Sequence, residues 1–93
     1  MRIEIEIGFS FKRELKGDFR HLDLPEGTDV EGALRRLAEI HPGIAGRLFD
    51  QEGRIRSYIN ALINGGNVVH RRGFRTVLTD GDRLTILPPV GGG

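Results

Sequence analysis

Arg83-Leu84-Thr85-Ile86-Leu87-Pro88-Pro89-Val90-Gly91-Gly92-Gly93 closes the chain with a short apolar strand, two prolines and a run of glycines. Leu84 and Ile86 share one face of the expected strand. Proline has no N–H to give a sheet ladder, so the strand stops at Pro88. The glycines beyond it carry no side chain to anchor them to a core, and they lose much freedom whenever they are ordered. From Pro88 to Gly93 an extended chain reaches roughly 20 Å, at about 3.3–3.6 Å per residue. The stretch divides the chain into a domain over residues 1–87 and a flexible tail over 88–93. By shape alone the tail is either a frayed end or a handle: a bare carboxylate on a narrow stalk that another protein admits into a slot.

Upstream of the last strand, Asp80-Gly81-Asp82 reads as a turn. Tyr58 to Ile63 supplies a strand, and Asn64-Gly65-Gly66 is a strong tight-turn signal because these residues tolerate positive φ. Asn67, Val68 and Val69 then read as a short returning strand. Residues 70–79 are less regular, and Phe74, Val77 and Leu78 are expected to hold them down. At the other end of the chain, Ile3, Ile5, Ile7, Phe9 and Phe11 alternate with Arg2, Glu4, Glu6, Gly8 and Ser10. That period of two marks a half-buried strand. Phe19 to Leu24 is expected to pair with it as a hairpin. Pro25-Glu26-Gly27 ends this second strand, and Thr28 with Glu31 has capping-box spacing. Val30, Ala33, Leu34, Leu37, Ala38 and His41 then follow a helical period over about residues 29–41. Pro42 and Gly43 stop that helix, and Ile44, Leu48 and Phe49 suggest one further short turn.

Strand, strand, helix, strand, short strand, strand is the order of two hairpins flanking one helix. It predicts an α+β domain with a mixed sheet of four to five strands packed on one main helix, the last strand lying parallel to the first in the middle of the sheet. That arrangement is the β-grasp, as in ubiquitin.

Composition narrows the chemistry. Ninety-three residues make one domain, and 38% hydrophobic content suffices for a folded core. The absence of cysteine removes disulfides, thiolate metal sites, iron–sulfur ligation and a cysteine nucleophile. Net charge is +1, which gives no long-range pull on nucleic acid. No signal-peptide core and no membrane-length apolar run is visible, so a cytoplasmic location is expected. His21, His41 and His70 lack metal-ligand spacing and are expected at the surface or an edge, and no metal site is expected. Asp80 and Asp82 read as turn formers. Ser10 and Ser57 lack a visible base partner. Arg71, Arg72 and Arg75, with Phe74 among them, read as a solvated loop with one anchoring aromatic. With no catalytic constellation in the body, function is pushed outward, to a surface or to the tail. The open sheet face around the last strand is the natural place for a docking patch.

The segment from Leu78 through Asp80-Gly81-Asp82, the apolar strand and Pro88-Pro89-Val90 to Gly91-Gly92-Gly93 resembles the C-terminal signature of the small subunit of molybdopterin synthase. Phe11 to Gly17, with Arg13-Glu14-Leu15, is similar to that family's first loop. Related families are the thiamine-pathway sulfur carrier, the archaeal small ubiquitin-like modifiers and the eukaryotic transfer-RNA thiolation modifier.

The resemblance implies that an activating enzyme uses ATP to adenylate the carboxylate of Gly93. A sulfurtransferase or other sulfur source then converts it to a thiocarboxylate. Gly92, Gly91, Val90, Pro89 and Pro88 would form the passage and the partner contact. The implied recipient is the large subunit of molybdopterin synthase or another sulfur acceptor, and the chain is not an enzyme on its own. No cofactor is expected to be bound by this chain, and neither nucleic acid nor membrane is an expected partner. The alternative the resemblance implies is a protein modifier joined to substrate lysines through Gly93, with a dual role in transfer-RNA thiolation. Lysine appears only as Lys12 and Lys16, which limits chains built on the protein itself.

Overall fold

The computed structural model describes residues 1–8 and 20–87. Strand β1 (Arg2–Ile7) buries Ile3, Ile5 and Ile7 and exposes Arg2, Glu4 and Glu6. It pairs antiparallel with β2 (His21–Asp23), Ile3 facing Leu22. The expected continuation through Phe9 and Phe11, the turn at 12–18 and the start at Phe19 lie outside the described residues. Helix α1 (Val30–Ile40) buries Val30, Ala33, Leu34 and Leu37. A 3-10 turn (Pro42–Ile44) and the four-residue α2 (Ala45–Leu48) follow. Then come β3 (Asn60–Ile63), β4 (Gly66–Asn67), two 3-10 turns (Val68–His70 and Gly73–Arg75) and β5 (Arg83–Leu87).

The sheet order is β2-β1-β5-β3-β4. β5 lies parallel to β1, with Ile5 beside Leu84 and Ile7 beside Ile86. On its other side β5 runs antiparallel to β3, with Ala61 beside Ile86 and Ile63 beside Leu84. The fold is thus the expected α+β β-grasp, with five strands and the last strand central. One sheet face packs Ile3, Ile5, Ile7, Leu22, Ala61, Ile63, Leu84 and Ile86 against the apolar face of α1, and Ile44, Leu48, Ile59, Val68 and Leu78 close the core. Each large aliphatic side chain so buried stabilises the fold by about 1.5–3 kcal/mol before entropy is counted.

Three local expectations are corrected. The helix is capped by Asp29, not Thr28: the Asp29 carboxylate accepts the Gly32 N–H at 2.8 Å. The reason is tertiary. The Thr28 carbonyl, which a cap would hold for the helix, instead accepts Leu78 N–H at 3.0 Å, and the Val30 N–H reaches the Thr76 carbonyl at 3.0 Å. This bridge fixes Thr28 in extended chain and moves the helix start one residue on, where a carboxylate also suits the positive end of the helix. Second, Val68 and Val69 turn into a 3-10 helix rather than continue the strand. The Asn67 side chain accepts the Val69 N–H at 2.9 Å and so closes a local turn that outcompetes the ladder. Third, the β3 strand starts at Asn60, later than Tyr58, because the Ile59 N–H is taken by the Arg56 carbonyl in a turn.

The Asn-Gly turn forms as its sequence requires. Asn64 and Gly65 have φ of 51° and 87°, the paired positive values of the tight hairpin turn between β3 and β4. Of the residues expected to pin 70–79, Leu78 is buried and Phe74 packs against the core, but Val77 is 52% exposed.

Candidate functional site at the end of the central strand

β5 is held along both edges up to its last residue. Leu87 is in register with Asn60 of β3, and the Ile86 carbonyl accepts the Gly8 N–H at 2.9 Å. Pro88 follows by one peptide bond, so the segment carrying the expected site is rooted in the middle of the sheet. Pro88, Pro89, Val90, Gly91, Gly92 and Gly93 themselves lie outside the described residues.

Around that root the sheet has an open face. Strand parity puts Glu4 and Glu6 of β1, Arg83, Thr85 and Leu87 of β5, and Asn60 and Leu62 of β3 opposite the core. Glu6, Thr85 and Leu62 lie in one row across three strands. Thr85 is only 7% exposed although it faces away from the core, and its hydroxyl lies 3.4 Å from the Glu6 carboxylate. Arg83 reaches Glu4 at 3.4 Å. The face is therefore mixed: half-buried Leu62 lies beside the middle of β5 and half-buried Leu87 at its end, with Glu4, Glu6 and Arg83 beside them. Sequence alone points to the face but not to its residues. Period-two parity on β1, β3 and β5 picks them out once the strand order is known.

The start of β5 is a different environment. The Asp80 carboxylate accepts the Arg2 N–H at 2.7 Å. Asp82 accepts the Thr79 N–H at 2.8 Å and the Asn64 side-chain amide at 2.9 Å, while the Asn64 carbonyl oxygen accepts the Arg83 N–H at 2.9 Å. Both carboxylates thus act as turn formers, tying this turn to β1 and to the Asn64-Gly65 turn. Partial burial pushes the Asp82 carboxyl up, but hydrogen bonds from Thr79 and Asn64 and the nearby Arg71 charge outweigh it and hold the group below its ordinary value. Asp50, in the turn after α2, is also held low by the backbone N–H groups of Arg54 and Glu52.

The histidines split. His21 and His70 are exposed, as expected, whereas His41 is 6% exposed at the C-terminal cap of α1. It completes the apolar stripe of α1 by position, and its carbonyl accepts the Ile44 N–H at 3.1 Å in the turn that follows. Among the described residues no group of three or more His, Cys, Asp or Glu side chains could hold a metal ion, and no helix is long and apolar enough to cross a membrane. Ser57 is exposed, and Ser10 lies outside the described residues.

The class this defines is a small ubiquitin-like domain whose central strand runs out into a Gly-Gly-Gly end. Comparison with known proteins places it further. The ThiS family model matches residues 9–93, and the chain belongs to that family. Small archaeal modifier protein 3 of Haloferax volcanii is 33% identical over 93 residues, covering 100% of both chains. The sulfur carrier protein CysO of Mycobacterium tuberculosis is 33% identical over 69 residues, 72% of this chain and 74% of that one. The crystal structure of SAMP1 from Haloferax volcanii superposes with a TM-score of 0.84 at 26% identity, covering 100% of both chains.

Proposed function

We propose that this chain is a sulfur carrier: the carboxylate of Gly93 is adenylated, converted to a thiocarboxylate, and donates sulfur in molybdopterin biosynthesis. One observation carries the reading. In a chain of the ThiS family, the central strand β5 continues directly into Pro-Pro-Val-Gly-Gly-Gly. The body supports it by offering a root paired on both sides in the sheet and a polar-edged face beside it.

The chemistry suits the tail. The Gly93 carboxylate oxygen attacks the α-phosphate of ATP and pyrophosphate leaves, both on the activating enzyme. A sulfur nucleophile then attacks the acyl carbonyl and AMP leaves. Glycine has no Cβ to obstruct the attack or the passage of the tail through a narrow slot. Held on a tether of this length, the sulfur anion has a high effective concentration in one docked pocket. Gly91, Gly92 and Val90 would line the slot's contents, and Pro88-Pro89 would stiffen the exit. The partners on this reading are an activating enzyme, a sulfurtransferase and the large synthase subunit. The test is an intact mass after incubation with the activating enzyme, ATP and sulfide. A species with one oxygen replaced by sulfur at the C-terminal residue is expected, and its absence while ATP is turned over would count against the reading.

A second reading has its own support: the relative that covers all 93 residues is named a small archaeal modifier. On that reading a substrate lysine amine attacks the adenylate and forms an isopeptide bond. Lysine peptides bearing a Gly-Gly remnant, recovered from cells expressing a tagged form, distinguish the two products.

A further inference from the structure

Residues 53–79 contain no aspartate or glutamate, yet they carry Arg54, Arg56, Arg71, Arg72 and Arg75. Several other arginines have partners. Arg35 meets Glu31 at 3.0 Å, Arg36 meets Glu39 at 3.1 Å and Arg83 meets Glu4 at 3.4 Å. Arg54 reaches back to Asp50 and Glu52, and Arg56 donates to the Gly46 carbonyl at 2.7 Å. Arg71, Arg72 and Arg75 make no ion pair within 4.0 Å among the described residues. Asp82 feels the charge of Arg71, but its oxygens are occupied by Thr79 and Asn64.

Two of these unmatched arginines also share a concavity. Among the described residues, Arg71, Arg72, Thr76 and Val77 line an open groove of about 470 Å³. Its floor is fixed: Thr76 is buried, and its hydroxyl oxygen accepts the Arg72 N–H at 3.0 Å. Its wall includes Val77, an apolar side chain 52% exposed with nothing described over it. The position is also distinctive. Arg71 lies near Asp82, at the beginning of β5, while Leu87 is at the other end of a strand about 13–17 Å long.

We propose that this groove binds a short acidic segment of a partner protein, its carboxylates on the Arg71 and Arg72 guanidiniums and an apolar side chain on Val77. Guanidinium forks match carboxylates in pairs of parallel hydrogen bonds. The exposed valine favours a peptide, which offers apolar groups beside its charges, over a bare phosphate. A net charge of +1 supplies no field to hold a polyanion such as RNA. The groove's volume falls in the range of small-ligand sites, roughly 300–1,000 Å³. Because the groove is at the far end of β5 from Leu87, a partner seated there leaves the tail free, so the domain can be held by one protein while its end is worked on by another.

The experiment is an amide NMR titration of the full chain with the peptide acetyl-Asp-Leu-Asp-Glu-Leu-Glu-amide, alongside its Asn/Gln counterpart, inorganic phosphate and a single-stranded RNA hexamer. Saturable shifts centred on Arg71, Arg72, Thr76 and Val77 with the acidic peptide are expected, weakening as salt is raised. The charge-reversed variant Arg71→Glu/Arg72→Glu, shown folded by circular dichroism, should bind roughly tenfold more weakly or worse. Val77→Ser should weaken the peptide while leaving any phosphate response unchanged. The proposal is overturned if the acidic peptide gives no saturable shifts, if the neutral peptide matches it, if the shifts survive charge reversal, or if phosphate or RNA binds in its place. None of these outcomes touches the tail, so the sulfur-carrier reading is tested separately.

Discussion

The two ends of β5 are built on opposite principles. Its start is knotted: Asp80, Asp82 and Asn64 spend their side chains on backbone N–H groups of Arg2, Thr79 and Arg83 and on each other. Among the described residues its finish is held by backbone bonds to β1 and β3, and the sequence beyond Val90 is glycine. On the proposed function, the same five-residue strand is an anchor at one end and a launching point at the other. The sulfur-carrier reading needs both, because a terminus can be threaded into a partner only if its root does not give way.

The sharpest way to break this contrast is at the finish. Deleting Gly92 and Gly93 should abolish activation by the adenylating enzyme while the thermal midpoint is unchanged. Activation that survives would mean the launching end is not the functional one. In the middle of the strand, Leu84 is fully buried, and Leu84→Ala should cost about 2–5 kcal/mol in urea unfolding. Toward the start, Gly65→Ala forces a side chain into φ of 87° and should cost about 1–2 kcal/mol, with activation of the folded fraction retained. Asp82→Ala leaves the Thr79 N–H and the Asn64 amide to water and should cost about 1 kcal/mol, again without loss of activation.

The smallest effect is a pH dependence. Asp82 is held below its ordinary value in the fold, so its contribution is fully present above the unfolded value of about 3.9 and fades as pH falls through the lower folded value. The stability gap between the natural chain and Asp82→Asn should therefore be constant from about pH 7 to 5 and shrink below about pH 4. A gap that grows on acidification would show that the anchor does not work through the ionised carboxylate.

The contrast also explains what the sequence disclosed. Ile3, Ile5 and Ile7, Leu84 and Ile86, and the helical spacing of Val30, Leu34 and Leu37 are periodic signals that one burying surface enforces, and all of them hold. Asn64-Gly65 and Asp80-Gly81-Asp82 are turn chemistry written within a few residues, and they hold too. What sequence spacing missed depends on contacts from elsewhere. The bridge from Thr28 and Val30 to Leu78 and Thr76 decides where α1 begins, and nothing near Thr28 announces a partner fifty residues away. Val68-Val69 has strand-like composition, yet a single side-chain acceptor on Asn67 overrules it. The open face was legible as a place. Its membership, with Thr85 nearly buried between Glu6 and Leu62, required the order of three strands that are distant in the chain. The cationic groove needed more still: the arginines were visible, but having no carboxylate partner among the described residues is a property of the folded surface.

The central position of β5 also bears on how the molecule is made. Glu6 and Thr85 are neighbours in the sheet but 79 positions apart in the chain. Loops of that size close late and slowly. During synthesis β1 and β3 both appear before the strand that joins them, so the sheet cannot be completed until the chain has been extended to Leu87. A chain broken earlier lacks the strand that both neighbours pair with and leaves two unpaired edges. Being folded thus certifies that synthesis has reached the root of the tail, and an activating enzyme that recognises the finished sheet would be spared incomplete copies.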